Sequence, residues 1–282
     1  MYQAKKAGRN ALRFFDPKMQ EYNDDKVLLE NDLREALDKN QLQVHYQIQV
    51  NNLKQPTGAE ALLRWMHPVR GMVRPDQFIP LAEVSGLILP IGDWVLRTAC
   101  AQLKAWESHF ATSKLVIAVN VSARQFHQAD FVEQLKEMLK KYSINARLLK
   151  LELTESMLID NVQDAILKMQ LLKEIGIRIS LDDFGTGYSS LQYLKELPLD
   201  QLKIDQSFIK DINRDRGSGA IVSTIIAMAR GLKINVIAEG VETEEQREFL
   251  ENVGCIHFQG YLFGKPMPIE EIEEVISQYF YS

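Results

Sequence analysis

The 282-residue sequence has little cysteine, no long apolar run and no excess of basic charge. Its two cysteines, Cys100 and Cys255, are too few for a disulfide framework or a cysteine zinc site, and they suit a reducing cytoplasm. The longest apolar run, 221–229, is too short for a membrane span, and the first ten residues do not resemble a signal peptide. The net charge of −5 argues against binding to the backbone of a nucleic-acid polymer.

Two further absences narrow the possible chemistry. The histidines show no metal-ligand spacing, and we interpret all five as structural: His45, His67, His109, His127 and His257. Ser189 and Ser190 have no histidine placed to activate them as nucleophiles, so a turn is the better interpretation. No glycine-rich phosphate loop follows an early strand, which disfavours a doubly wound nucleotide-binding sheet.

From residue 41 onward, short apolar strands alternate with longer amphipathic helices. The predicted strands are 44–50, 58–63, 115–121, 148–153, 178–181, 201–204, 235–238 and 256–259. The predicted helices are 75–85, 91–108, 131–142, 162–175, 220–231, 244–252 and 269–280. Eight strands over roughly 220 residues predict a TIM-type (β/α)8 barrel. We expect this main domain at 41–282, after a linker helix at 17–40.

Polar residues recur where these strands end, at Glu60, Asn120, Glu152, Asp182, Asp183, Lys203, Asp205, Glu239 and Gln259. In a barrel of parallel strands, those ends form one mouth, where TIM-barrel active sites are built. In the strand 148–153, leucines alternate with Lys150 and Glu152. The period of two therefore turns the leucines towards the helices and Glu152 into the barrel.

Five carboxylates at one mouth require a positive partner. Like charges 4 Å apart cost about 4 kcal/mol per pair at an effective dielectric of 20, and Lys203 alone is too little. Carboxylate and amide oxygens suit Mg²⁺ or Mn²⁺, and the adjacent Asp182 and Asp183 could share two ions about 3.5–4 Å apart. From the residues alone, another metal-dependent barrel enzyme, such as an aldolase-like lyase, remains open.

Six ordered motifs, EALLRW, LELTES, DDFGTGYSSL, LKIDQSFI, AEGVET and QGYLFGKP, resemble the EAL domain of cyclic-di-GMP phosphodiesterases. The resemblance runs from about Leu28 to the C-terminus. It implies a barrel whose first strand is antiparallel to the others. It also implies hydrolysis of cyclic-di-GMP to 5′-pGpG with two Mg²⁺ or Mn²⁺ ions, with Ca²⁺ inhibitory. A binding module that senses cyclic-di-GMP without cleaving it is the alternative.

The resemblance also assigns roles to individual residues. One metal would be held by Glu60, Asn120, Glu152 and Asp182, and the second by Asp182, Asp183 and Glu239. Glu239 would be the general base, and Lys203 would hold the water and a phosphate oxygen. Gln259 and Asp205 would support the metal ligands. The substrate contacts would be Gln47, Leu63, Arg64, Asn120, Asp182, Lys203, Glu242 and Tyr261.

Further expectations concern the loop after the two aspartates and the start of the chain. Glu155 matches the residue that fixes the loop 183–190, and the region 183–194 would form a homodimer contact coupled to the metal site. Residues 1–16 resemble the end of a GGDEF domain. This stub suggests the C-terminal part of a GGDEF–EAL protein, with an upstream GGDEF or sensor domain that could attach it to a membrane.

Overall fold

The computed structural model describes residues 17–159, 161–185, 191–212 and 215–281. Within these ranges, eight strands close into a barrel and a ninth strand extends its edge. The strands are β1 (Leu42–Asn51), β2 (Pro56–His67), β3 (Gly71–Val73), β4 (Val116–Asn120), β5 (Leu149–Thr154), β6 (Arg178–Phe184), β7 (Gln201–Ile204), β8 (Asn235–Ala238) and β9 (His257–Gln259). The predicted TIM-type barrel is confirmed.

The first strand runs against the rest of the barrel. β1 is antiparallel to both of its neighbours, β2 and β9, whereas the other barrel strands are mutually parallel. This confirms the antiparallel first strand. Leu42 pairs with Trp65 and Gln47 with Glu60, so β1 begins at the end of the barrel where β2 finishes.

Helices surround the barrel and bury its outer face. They are α1 (Pro17–Ala36), α2 (Pro75–Ser85), α3 (Ile88–Trp106), α4 (Ala123–Phe126), α5 (Phe131–Tyr142), α6 (Ser156–Ile159), α7 (Val162–Glu174), α8 (Leu191–Glu196), α9 (Gln206–Lys210), α10 (Arg216–Gly231), α11 (Glu244–Asn252) and α12 (Ile269–Tyr281). Leu149, Leu151 and Leu153 are fully buried in the core between strands and helices. Full burial of a leucine contributes roughly 1.5–3 kcal/mol, so this alternation fixes which residues of β5 enter the barrel.

The linker helix α1 packs on a second, smaller hydrophobic core. Leu29, Leu33 and Ala36 are buried there against Trp65 of β2 and the first helices of the barrel. The helix ends at Ala36, four residues before the predicted boundary at residue 40, and Asn40 has a left-handed φ of 54°. Asparagine tolerates that conformation, which turns the chain into β1.

Several predicted boundaries are wrong. β6 continues to Phe184, so Asp182 and Asp183 lie within the strand rather than after it. The strand β3 was missed, because three residues give no usable alternation. α3 starts at Ile88 rather than 91. In the described part of the chain, no single helix is long and apolar enough to span a membrane. The helices α2 and α3 reach that length and apolar character only together, and they are bent by 119° relative to each other.

Candidate active site

The barrel strands bring most of the polar strand-end residues to one mouth. Glu60 lies in β2, and Asn120 and Glu152 are opposite each other on β4 and β5. Asp182 lies next to Thr154 across the β5–β6 ladder, and the amide of Glu239 donates to the carbonyl of Ile204 at 3.1 Å. The parallel register therefore assembles these side chains, because each strand ends at the same level.

Lys203 occupies the centre of this cluster. Its Nζ lies 2.7 Å from a carboxylate oxygen of Glu239, 3.2 Å from Asp182 and 3.5 Å from Glu60, and it also donates to Glu152 Oε2. The side chain is 1% exposed. Burial alone lowers the pKa of this ammonium, but the surrounding carboxylates raise it well above its usual value. Lys203 is therefore an ammonium group in contact with four carboxylates.

Glu60 is the best-satisfied acid of the cluster. One of its oxygens accepts from Asn120 Nδ2 at 2.6 Å, and the other accepts from Gln259 Nε2 at 2.6 Å. Burial raises the pKa of Glu60, but Lys203 and these two amides more than offset that effect, and the pKa is lowered. Glu60 is therefore held as a carboxylate.

Glu152 and Glu239 show the opposite shift. Burial raises the pKa of Glu152 to about 8, against the attraction of Lys203 and with the help of Glu60. Burial likewise raises the pKa of Glu239 well above its usual value, and Asp182 adds to the effect. Burial is the main cause of both shifts, and the neighbouring carboxylates add to it against the attraction of Lys203.

The donor set fits a hard divalent cation. Glu152 Oε1 is buried without a hydrogen-bond partner, and such an atom costs free energy unless a cation or water satisfies it. The amide of Asn120 also carries an oxygen, and with the carboxylates it supplies oxygen ligands only. Among the described residues, no three acidic, histidine or cysteine side chains are already arranged around a metal position. Here the acids converge on Lys203 instead.

The β6 end is strained at its second aspartate. Asp183 has a φ of 55°, a left-handed conformation that is uncommon outside glycine and frequent at functional sites. Its backbone amide donates to Asp182 Oδ1 at 2.9 Å. Partial burial and the neighbouring Asp182 carboxylate both raise the pKa of Asp183.

Two predicted residues lie beside the mouth rather than in the cluster. Asp205 caps α9, accepting from the amide of Ser207 at 3.0 Å, and its charge also raises the pKa of Asp183. Both carboxylate oxygens of Glu155 are buried, with no hydrogen-bond partner among the residues that the structure describes. The loop that Glu155 was expected to fix falls mostly at 186–190, outside the described residues.

A cavity of about 410 Å³ opens above the cluster. Besides Lys203 and Gln259, its lining includes six predicted metal or substrate residues: Gln47, Glu60, Asp182, Glu239, Glu242 and Tyr261. The sequence prediction missed Leu62, Gln206, Gly240, Gly260 and Pro266, which also line it. Leu62 could have been found from the period of two, because it lies on the same face of β2 as Glu60.

Two predicted substrate residues of β2 lie outside this lining. Leu63 packs its side chain against both hydrophobic cores. Arg64 is partly buried, which lowers the pKa of its guanidinium, and its Nη1 donates to the carbonyl of Leu63 at 2.9 Å. The guanidinium is therefore oriented by the backbone of β2.

The sequence profile of the EAL domain matches residues 30–266, more than half of the chain. The chain belongs to the EAL domain family. It is 46% identical over 273 residues to the bifunctional diguanylate cyclase/cyclic di-GMP phosphodiesterase MucR of Pseudomonas aeruginosa, covering 96% of this chain and 40% of MucR. It is 42% identical over 287 residues to the cyclic di-GMP phosphodiesterase NbdA of the same organism, covering 99% of this chain and 36% of NbdA.

The EAL fold is also shared with solved structures. The PaMucR phosphodiesterase in complex with c-di-GMP has a TM-score of 0.84 at 46% identity, over 87% of this chain and 99% of that one. This EAL chain spans about two fifths of the length of MucR, so most of that longer protein has no counterpart here.

Proposed function

We propose that this chain hydrolyses cyclic-di-GMP to linear 5′-pGpG with the help of two Mg²⁺ or Mn²⁺ ions. Glu60, Asn120, Glu152 and Asp182 would hold one ion, and Asp182, Asp183 and Glu239 the second. The observation that carries the proposal is the convergence of four carboxylates on one ammonium group at the mouth, where Glu152 Oε1 has no hydrogen-bond partner among the described residues. Membership of the EAL family and the names of its relatives supply the substrate.

The side chains at the mouth divide the chemistry between them. When bound, divalent ions at such a site lower the pKa of a water and neutralise charge on the phosphate. Glu239, whose pKa is raised, suits a general base that accepts a proton from the attacking water. Lys203 would donate to that water and to a phosphate oxygen. Gln259 keeps Glu60 in place with a hydrogen bond of 2.6 Å.

The cavity rim would bind the rest of the dinucleotide. Arg64 offers a fork of donors to a phosphate, and the carbonyl of Leu63 orients it. Tyr261 is 57% exposed and presents a flat ring on which a guanine base can stack. Gln47 and Glu242 line the same cavity and can hydrogen-bond to a base edge.

Product analysis tests the proposal directly. The purified chain is incubated with cyclic-di-GMP and Mg²⁺ or Mn²⁺, and the products are separated by chromatography. We expect 5′-pGpG with either ion, and inhibition when Ca²⁺ is added. Calorimetry in Ca²⁺ measures binding apart from chemistry. Tight binding of the dinucleotide without linear product in Mg²⁺ or Mn²⁺ would instead identify a receptor.

We further propose that Glu155 couples a homodimer contact at 183–194 to the metal site. The support is its buried carboxylate, which adjoins the strand that carries Glu152 and finds no hydrogen-bond partner in the described part of the chain. Glu155→Ala should depress turnover and weaken self-association at micromolar concentration, as measured by light scattering. Glu155→Gln, which keeps the shape, separates charge from packing. A fully active Glu155→Ala, or an active wild-type monomer, contradicts the coupling.

The longer relatives support a proposal about the whole protein. MucR is named as both a cyclase and a phosphodiesterase, and this chain covers 40% of it. We propose that the chain is the C-terminal part of a cytoplasmic GGDEF–EAL protein whose upstream domain controls it. Residues 1–16, which resemble the end of a GGDEF domain, lie outside the described residues. A coding sequence without a GGDEF region upstream of residue 1 would contradict it.

A further inference from the structure

The interior of the barrel holds a second buried lysine, on the side away from the mouth. Lys150 points inward from β5, two residues before Glu152, and is 5% exposed. Its Nζ donates to Gln201 Oε1 at 2.5 Å and to Gln49 Oε1 at 3.1 Å. It also lies 3.8 Å from Glu152 Oε1, the oxygen that lacks a hydrogen-bond partner.

Glu152 is thus held between two ammonium groups. Lys203 donates to its Oε2 from the mouth, and Lys150 faces its Oε1 from below. Neither lysine can accept a hydrogen bond, so both favour an oxygen turned towards them. The rotation of the Glu152 carboxylate is therefore set from both ends.

Hydrogen bonds between side-chain amides connect Lys150 to Glu60. Gln49 Nε2 donates to Gln259 Oε1 at 2.8 Å, and Gln259 Nε2 donates in turn to Glu60 Oε2 at 2.6 Å and Gln47 Oε1 at 3.0 Å. A lysine has only donors, so Gln49 must present its oxygen to Lys150 and its NH₂ to Gln259. Gln259 must then present its own NH₂ to Glu60.

The direction of this chain is fixed from both ends, because the Lys150 ammonium only donates and the Glu60 carboxylate only accepts. A neutral residue at position 150 that both donates and accepts would free Gln49 to turn over. Gln259 Oε1 would then lose its donor, and the amide that holds Glu60 would be less firmly placed. Lys150 thus supports two carboxylates that the proposed function assigns to one metal ion.

We propose that Lys150 is a positioning residue of the metal site, setting Glu152 by direct charge and Glu60 through Gln49 and Gln259. This inference rests on the proposed function for the metal ligands, not for the reaction. Below Lys150 lies a cavity of about 110 Å³, large enough for water, that opens at the opposite end of the barrel from the substrate. The role therefore belongs to a residue that substrate does not reach from the mouth.

The test measures Mn²⁺ binding by electron paramagnetic resonance, without substrate. Lys150→Met should raise the dissociation constant by about tenfold, the lower end of the usual effect of changing a group that supports a metal ligand. Lys150→Gln keeps hydrogen bonding but not its direction and should behave similarly, so a failure of the methionine variant to fold leaves the test intact. Lys150→Arg keeps charge and donors and should stay near wild type.

Controls separate positioning from general damage. Asn235→Ala alters the same lower cavity. The side chain of Asn235 donates to the carbonyl of Asp200, away from the proposed metal ligands, so this variant should leave Mn²⁺ binding unchanged. Gln49→Leu breaks the chain below Gln259. Combined with Lys150→Met, it should weaken binding by less than the product of the two single effects, because both act on one network.

The outcomes distinguish this inference from the proposed function. Unchanged or tighter Mn²⁺ binding in both Lys150→Met and Lys150→Gln overturns the positioning role, since Lys150 would then act as packing or as a competing charge. Wild-type protein that binds Mn²⁺ but yields no 5′-pGpG overturns the proposed reaction and leaves Lys150 testable. Wild-type protein that binds no Mn²⁺ overturns both.

Discussion

The two ends of the barrel interior are both polar, but they balance charge differently. At the mouth, four carboxylates contact the single ammonium of Lys203, and the pKa values of Glu152 and Glu239 are raised. At the opposite end, the floor, Lys150 is satisfied mainly by neutral amides of Gln49 and Gln201. Satisfied polar networks stabilise a scaffold, whereas uncompensated charge marks a functional site. The barrel thus places its supporting polar network at one end of its axis and its reactive groups at the other.

The largest effect is expected at the general base. Glu239→Gln keeps the shape of the side chain but removes its charge and its ability to accept a proton. Turnover of cyclic-di-GMP should fall by about 10²–10⁴-fold or more, because a positioned base contributes that much and Glu239 would also bind metal. Dinucleotide binding in Ca²⁺, measured by calorimetry, should stay within about tenfold of wild type. Near-normal turnover would remove Glu239 from the mechanism.

Bound metal should raise the stability of the protein, and this effect should depend on residues at the mouth and not on residues at the floor. Mn²⁺ at a hundred times its dissociation constant should add about 2.7 kcal/mol to the free energy of unfolding, seen as a higher melting temperature. Glu152→Ala should lose most of that response, because it removes a proposed ligand. The floor variant Asn235→Ala should keep it. A wild-type melting temperature indifferent to Mn²⁺ and to chelator would argue strongly against the metal site.

The pH dependence of stability should also reveal the crowded mouth. The pKa of Glu152 is raised from 4.5 to about 8, so the folded, metal-free chain holds this proton more tightly than the unfolded chain does. The stability from the bound proton is fully present below about pH 4.5 and is lost as pH rises towards 8. Glu152→Gln cannot titrate, so its melting temperature in chelator should fall less over that range. Parallel curves for both proteins would contradict the raised pKa.

The smallest effect is expected at the rim. Arg64 would grip a phosphate that is present in both substrate and transition state, so its loss removes uniform binding. Arg64→Ala should raise the Michaelis constant about tenfold and change kcat little. Arg64→Lys, which keeps charge without the fork, tests the geometry. A loss confined to kcat would instead place Arg64 among the groups that act on the developing charge.

Much of the mouth could be predicted because two periodicities coincide there. Alternation along β5 placed Glu152 inside the barrel, and the parallel strands placed all their ends at one level. The sequence could not show that Lys203 would contact four carboxylates, since that depends on side-chain rotamers. The same alternation turns Lys150 inward, but the sequence could not show that its ammonium would meet the amides of Gln49 and Gln201.

Other differences have equally local causes. The strand β3 has three residues and the helices α4 and α6 have four each. Elements this short do not repeat an apolar pattern, so hydrophobic periodicity does not predict them. Leu62 lines the cavity, whereas its neighbour Leu63, the predicted substrate contact, packs against the two hydrophobic cores. In a strand, neighbouring residues face opposite sides, so one position separates the barrel interior from the helix layer.

The reversed first strand determines at which end of the barrel the preceding segment of the chain joins it. Because β1 is antiparallel to β2, the chain leaving α1 reaches the mouth first: Gln41 accepts from the amide of Met66 at 2.8 Å and from Trp65 Nε1 at 3.1 Å. In a barrel with a parallel first strand, a preceding segment would join at the floor instead. Here the linker helix ends at Ala36, and five residues lead from it to Leu42, which lies opposite Trp65 and next to Arg64. A movement of that helix would therefore act directly on the mouth of the barrel, where the substrate is proposed to bind.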